Sequence, residues 1–184
     1  HSYNKTSIVP TYADGYQLME LPDELNDVVK WYKQNRDQRE IHEVVHGNYL
    51  NDFDVPITKL DLDHFGTIRE TIQQIVKPIL AKWVNKEEHE LEFTSLFGVR
   101  EYHRRSMMLM HADRHQTHHI SAVVHLFQDG MDSGWPLQVQ VGETVSEIYC
   151  SKPCLILYTG AKFFHGRAKR LQGNRYASAF LHYK

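Results

Sequence analysis

The sequence predicts an α+β domain in which helices come first and a double-sheet jelly roll follows. Three observations lead there. Apolar residues between Leu21 and Trp83 recur at helical spacing, and from Leu91 the period shortens to two. Turn signals then cut the second half into many short strands, a pattern that suits two packed sheets buttressed by the helices. The chain of 184 residues shows no linker, repeat or low-complexity stretch. Residues 1–184 are therefore expected to form one domain, with 1–90 as mainly helical support and 91–184 as the jelly-roll core.

A formal net charge of −2 gives no pull toward nucleic acid or a membrane surface, and no apolar run approaches a membrane span. The expectation is a soluble chain. It begins with His1, as a trimmed or processed protein would, so compartment and oligomeric state stay open. Cys150 and Cys154 bracket Ser151-Lys152-Pro153, and reduced thiols are the expected state, with a short-loop disulfide as the alternative. Asn4-Lys5-Thr6 fits the glycosylation sequon, a pattern common by chance.

In chain order, residues 1–20 form an irregular lead-in with one strand around Tyr16 to Met19. Leu21, Leu25, Val28, Val29 and Tyr32 share a helix face, with Pro22 and Asp23 suited to its start. The charged run Lys33 to Glu43 reads as a solvated helix end, and His42 and His46 as surface or structural residues. Leu62, Phe65, Ile68, Ile72, Ile75, Val76, Ile79, Leu80 and Trp83 mark a longer helix whose stripe is core. Asp61 or Asp63 can cap it. Pro78 is expected to kink or split it.

Leu91, Phe93, Ser95, Phe97 and Val99 alternate as a half-buried strand does. Further strands are expected at Ser106 to Asp113, His119 to Gln128, Leu137 to Val141, Glu143 to Tyr149, Cys154 to Tyr158 and Arg175 to Tyr183. Asp129-Gly130 and Ser133-Gly134 supply turns.

The chemistry concentrates at His111-Ala112-Asp113. Residues two apart on a strand share a face, so one imidazole and one carboxylate would point the same way. A second imidazole, for which His165 is the best candidate, would complete a 2-His-1-carboxylate triad with open positions, the set that suits non-haem Fe(II). Arg175 follows ten residues later, and Arg175, Ala177, Ala179 and Leu181 alternate onto one face. A planar guanidinium beside small residues reads as a carboxylate receptor in a pocket wall, a role for which Arg167 and Arg170 compete. A rival zinc set of His111, His115, His118 and His119 needs a helix to converge. His119, Ser121 and His125 alternate on a strand that either lines the pocket or faces solvent. Trp135 is read as a core anchor, with guarding the mouth as the alternative.

With these residues in place the chain resembles the Fe(II)/2-oxoglutarate-dependent dioxygenases, most closely the prolyl 4-hydroxylase-like branch. The resemblance runs from Leu91 to the end and rests on His111-x-Asp113, His165-Gly166-Arg167, and a basic residue ten positions on. Tyr102, nine before His111, stands where that branch often has a tyrosine contacting 2-oxoglutarate. The resemblance implies a distorted double-stranded β-helix, a catalytic metal set of His111, Asp113 and His165, and cosubstrate contacts from Arg175 and Tyr102. It implies Fe(II), 2-oxoglutarate and ascorbate as cofactors. The implied reaction hydroxylates a prolyl residue in a peptide or protein and releases succinate and CO2.

There are departures. Collagen-type members usually carry Lys where Arg175 stands, though arginine also occurs there in the oxygen-sensing type; Met108 stands where both types often have a tyrosine, and Leu181 where an aromatic commonly follows the basic anchor by six. An intact Asp113 argues against halogenation. A free amino acid, another side chain or a nucleobase is the alternative substrate, and a non-catalytic jelly-roll binding module is the alternative from another class.

Overall fold

The computed structural model describes residues 15–37, 40–42, 55 and 57–184. The sequon at Asn4 and His46 lie outside these residues, and of His42 only the backbone is described.

Two helices form where the apolar period is 3.6. The first, α1, spans Asn26–Asn35 and buries Val28, Val29 and Tyr32. The second, α2, spans Gly66–Trp83 and buries Ile72, Val76, Leu80, Ala81 and Trp83. Asp61 caps the 3-10 turn Leu62–His64 ahead of α2, accepting the Asp63 N–H at 3.0 Å. The expected split at Pro78 does not occur, because the helix runs unbroken through it. Pro78 and Gln74, whose carbonyl loses its intrahelical donor, both face solvent, so water can take the missing partner's place.

Among the described residues there are eleven strands: β1 Tyr16–Glu20, β2 Glu40–His42, β3 Thr58–Leu60, β4 Phe93–His103, β5 Met108–His111, β6 Ile120–Asp129, β7 Leu137–Val141, β8 Thr144–Ile148, β9 Cys154–Tyr158, β10 Phe164–Arg167 and β11 Arg175–Tyr183. They make a seven-stranded sheet in the order β1-β9-β6-β11-β4-β3-β2 and a four-stranded sheet in the order β5-β10-β7-β8. Every pairing is antiparallel. The short strands β2, β3 and β10 had no counterpart in the sequence reading.

The large sheet has two apolar faces, and this decides where each side chain goes. Ala122, Val124, Leu155, Leu157, Ala177, Ala179 and Leu181 pack with Leu25, Val28, Tyr32, Ile72, Val76 and Leu80 of the helical layer. The opposite face sends Val123, Ile156 and Tyr158 against Leu137, Val139 and Ile148 of the small sheet, which closes the jelly roll. Strand β9 is buried at every residue because it is covered on both sides.

Cys150 and Cys154 are joined, not reduced as expected. Their disulfide spans a Cα separation of 6.1 Å and closes the loop from β8 to β9. Both cysteines sit in the inter-sheet core beside Val123 and Ile156.

Candidate metal centre

The last residue of β5, His111, pairs directly with His165 of β10. Asp113 follows two residues on, where its backbone N–H donates to the Gly160 carbonyl at 2.8 Å. His111 Nε2 and His165 Nε2 each stand 3.4 Å from Asp113 Oδ1. The three donor atoms lie within 4.8 Å of one another, and no other such group of His, Cys, Asp or Glu occurs among the described residues.

Both imidazoles are turned by the backbone. His111 Nδ1 lies 2.8 Å from the Leu109 carbonyl and His165 Nδ1 lies 3.1 Å from the Phe163 carbonyl. A carbonyl only accepts, so each Nδ1 carries a proton, and each Nε2 faces Asp113, donating to the carboxylate when the ring is doubly protonated and free to offer a lone pair to a metal when it is not. Burial raises the Asp113 carboxyl, but hydrogen bonding from His111 and His165 outweighs it and holds the group well below the usual carboxylate range. The same contact, with the Leu109 carbonyl, lifts His111 above its ordinary value against the opposing effect of burial.

Asp113 Oδ2 is buried and has no hydrogen-bond partner. A buried carboxylate oxygen left without a partner is costly unless a cation sits there. Two nitrogens and one carboxylate on one side suit Fe(II) with open positions. The residues fit the metal.

Around the cluster the inner face of the large sheet forms a wall. The Tyr158 ring is 4.9 Å from that of His165, and Tyr158 is the strand partner of Ser121. Ser121 Oγ in turn lies 2.7 Å from His182 Nδ1. His182 touches His118, ring centroids 4.0 Å apart, and Phe97 at 5.8 Å. The Arg100 guanidinium lies over Phe97 and Phe180. Phe97, Arg100 and His182 were not singled out from the sequence, although Phe97 belonged to the recognised alternation of β4.

Two cosubstrate contacts were expected. Tyr102 is inside the barrel, 1 % exposed, with its ring 5.1 Å from Trp135. Arg175 is not inside. It shares a face with Ala177, Ala179 and Leu181, but that face meets the helices, and its guanidinium pairs with Asp37 at 3.6 Å and Glu101 at 3.7 Å. The expected pocket wall is thus the helix-facing side of β11.

The inner face of β11 is Tyr176, Ser178, Phe180 and His182, and the cation behind it is Arg167. Arg167 is 3 % exposed and shares the inward face of β10 with His165. It lies against the Trp135 and Tyr176 rings and donates to the Trp135 carbonyl at 2.6 Å. No carboxylate among the described residues pairs with it.

The other candidates resolve plainly. Trp135 is a core anchor, 2 % exposed, donating to the Lys169 carbonyl at 2.7 Å. Ser121 and His125 are buried on the inner face, whereas His119 is exposed and packs on His115. Arg170 is exposed and donates to the Arg105 carbonyl.

Neither a family model nor a curated protein matches the sequence. Solved structures do match. A 2OG-Fe(II) oxygenase-family oxidoreductase from Burkholderia pseudomallei aligns with a TM-score of 0.72 at 14% identity, over 95% of this chain and 87% of that one. The chain has the fold of that family's structures. A prolyl hydroxylase from Trichoplax adhaerens, in complex with a peptide fragment of the hypoxia inducible factor oxygen degradation domain, gives 0.66 at 15% identity over 94% and 85% of the two chains. HygX from Streptomyces hygroscopicus, with nickel and 2-oxoglutarate bound, gives 0.63 at 13% identity over 95% and 85%. No helix among the described residues is long and apolar enough to cross a membrane.

Proposed function

We propose that the protein is an Fe(II)- and 2-oxoglutarate-dependent dioxygenase that hydroxylates a prolyl residue within a peptide or protein. One observation carries the reading: two carbonyl-oriented imidazoles and the orphaned Asp113 carboxylate converge on one point in a jelly roll. Likeness of fold to oxygenases that bind metal and 2-oxoglutarate supports the reaction class, and likeness to a prolyl hydroxylase holding a peptide supports the substrate class.

His111, Asp113 and His165 would hold the iron. When bound, iron and 2-oxoglutarate together supply the oxidising power for C–H hydroxylation, with succinate and CO2 as by-products. The chain's own part is to hold both imidazoles with Nε2 inward, to keep Asp113 ionised and to exclude water. Arg167 takes the role first read onto Arg175. A buried guanidinium with no carboxylate partner among the described residues is an incomplete ion pair, and the distal carboxylate of 2-oxoglutarate would complete it. Tyr102, in the same aromatic group as Trp135 and Tyr176, is the accompanying contact.

The test is succinate formation by the purified chain with Fe(II), 2-oxoglutarate and ascorbate, with proline-containing peptides set against free proline, lysyl and arginyl peptides, and nucleosides. Stimulation by the prolyl peptide, with gain of one oxygen atom by mass, is the expected result. Oxygen gained only by a free amino acid or nucleoside overturns the peptidyl substrate, and no succinate under any condition overturns the reaction.

A further inference from the structure

The Arg167 guanidinium lies 4.8 Å from the centre of the Tyr176 ring. Two other rings hold that tyrosine. His125 stacks on it at 4.0 Å and 18°, and Trp135 meets it edge-on at 5.1 Å and 79°. Tyr176 is 1 % exposed, and its hydroxyl is buried with no hydrogen-bond partner. The ring that carries Arg167 therefore also carries a polar group that nothing among the described residues satisfies.

His125 is tethered at both ring nitrogens. Nδ1 lies 3.1 Å from the Ala177 carbonyl and 3.2 Å from Ser178 Oγ, and Nε2 lies 3.0 Å from Gln128 Oε1. Gln128 Nε2 donates to the Ser151 carbonyl at 3.1 Å. A carbonyl only accepts, so the Gln128 amide turns its oxygen toward His125, and the imidazole Nε2–H donates to it. Ser151 lies in the loop closed by the Cys150–Cys154 disulfide, and Cys154 is the strand partner of His125. Burial, aided by the Arg167 charge, lowers His125 to about 3, so the ring adds no second charge beside the arginine. A phenyl ring would fill this space without the cost of burying two nitrogens. What the imidazole adds is a fixed orientation, passed from the disulfide loop through Gln128 to the face of Tyr176.

We infer that His125 and Gln128 are positioning residues for a carboxylate anchor made by the Arg167 guanidinium and the Tyr176 hydroxyl, and that this tethered anchor selects a 2-oxo acid bearing a second carboxylate. The inference rests on the proposed 2-oxoglutarate reading for the ligand and adds what discriminates that ligand from its relatives. A carboxylate has lone pairs enough for the guanidinium and the hydroxyl together. Both donors depend on one ring, so an imidazole that fixes the ring fixes both. Donors held in place before the ligand arrives lose little freedom when it binds. A 2-oxo acid ending in a methyl group would leave the guanidinium and the hydroxyl unpaired in a buried site, which costs affinity.

The test compares two ligands titrated calorimetrically into the full chain with Mn(II). One is 2-oxoglutarate; the other is 2-oxopentanoate, which keeps the 2-oxo acid head and ends in a methyl group. The parent should prefer 2-oxoglutarate by about tenfold or more. His125→Ala should weaken 2-oxoglutarate about tenfold and leave 2-oxopentanoate where it was, a split that general loosening of the core would not produce. His125→Phe and Gln128→Ala keep a ring on Tyr176 but lose the tether, and Tyr176→Phe keeps the ring but loses the hydroxyl. Each should cost 2-oxoglutarate alone about two- to fivefold. Gln128 is only half-buried, so its variant reads the tether even where His125→Ala fails to fold. If the parent prefers 2-oxoglutarate but the His125 and Gln128 variants weaken both acids equally, or neither, the positioning role is overturned and the oxygenase reading stands. A parent that binds both acids equally, or neither, overturns the Arg167 anchor and this inference together.

Discussion

Gly160 is pressed against the carboxylate of Asp113. A Cβ at position 160 would overlap Asp113 Oδ2 and stand 2.9 Å from Tyr158 Cε2. The Gly160 carbonyl meanwhile accepts the Asp113 N–H. The glycine is therefore a mould for the proposed metal ligand, giving the carboxylate room while fixing its backbone.

Gly160→Ala should lower Mn(II) or Fe(II) affinity by about 10- to 100-fold, the loss usual when a ligand's supporting partner is disturbed. Far-UV circular dichroism should be unchanged. Calorimetric titration checks this, and parental affinity in the alanine variant would show that Asp113 moves freely and that the mould is not needed.

The two arginines should separate in kinetics. Arg167→Ala should raise KM for 2-oxoglutarate strongly, because truncating one partner of a buried charge pair costs roughly 2–5 kcal/mol. Arg175→Ala should leave that KM alone and lower stability instead, by stranding Glu101. Burial already pushes the Glu101 carboxyl up, and the Arg175 charge opposes this. A loss of about 1–3 kcal/mol is expected, less than for a fully enclosed pair because Arg175 is part-exposed to water. Steady-state kinetics and urea melts of both variants decide it; a KM effect confined to Arg175→Ala would reverse the assignment.

Arg175 lies on the helix-facing side of β11, where its guanidinium pairs with Glu101 and Asp37. His111 and Asp113 were legible because strand alternation ties residues two apart to one face, His165 was chosen by its spacing to Arg175 ten residues on, and the structure brings all three together. The same alternation grouped Arg175, Ala177, Ala179 and Leu181 correctly. It did not say which face of β11 looks inward, because a shift of one residue exchanges the faces and the register is set by the loop from Ala168 to Asn174. Small residues suited a pocket wall as well as a close helix–sheet contact. Strand β10 was missed because four residues with a central glycine give no readable period. The disulfide was missed, with reduced thiols expected instead, for a similar reason, since Cα separation belongs to the hairpin and not to the spacing.

That disulfide closes a short loop, so its effect should be moderate. Replacing both Cys150 and Cys154 by Ser should cost about 2 kcal/mol from the loop-closure term. Thiol titration of the unreduced, unfolded chain should find no free thiol. Two titratable thiols, with identical stability before and after reduction, would restore the reduced state.

Stability should fall as the solution is made acidic, and His125 is the main reason to expect it. The side chain is fully buried, stacked on Tyr176 at 4.0 Å, with Nε2 donating to Gln128 Oε1 at 3.0 Å. Burial, aided by the Arg167 charge, lowers it to about 3. In the unfolded chain it titrates near 6.5. Between about pH 6.5 and about 3 the unfolded state therefore binds a proton that the native state refuses. Stability is full above the unfolded value and declines through this window by up to about 1.4 kcal/mol per pH unit for each such group. His182, also lowered to about 3, adds to the slope. His111 acts with the opposite sign, since its folded value is raised. The difference between the parent and His125→Phe, which keeps a ring against Tyr176, isolates the His125 contribution. Urea melts of the metal-free chain across pH 7 to 4 should show a shallower decline in the variant. Parallel declines would mean that His125 is protonated in the folded barrel and that its burial does not govern its charge.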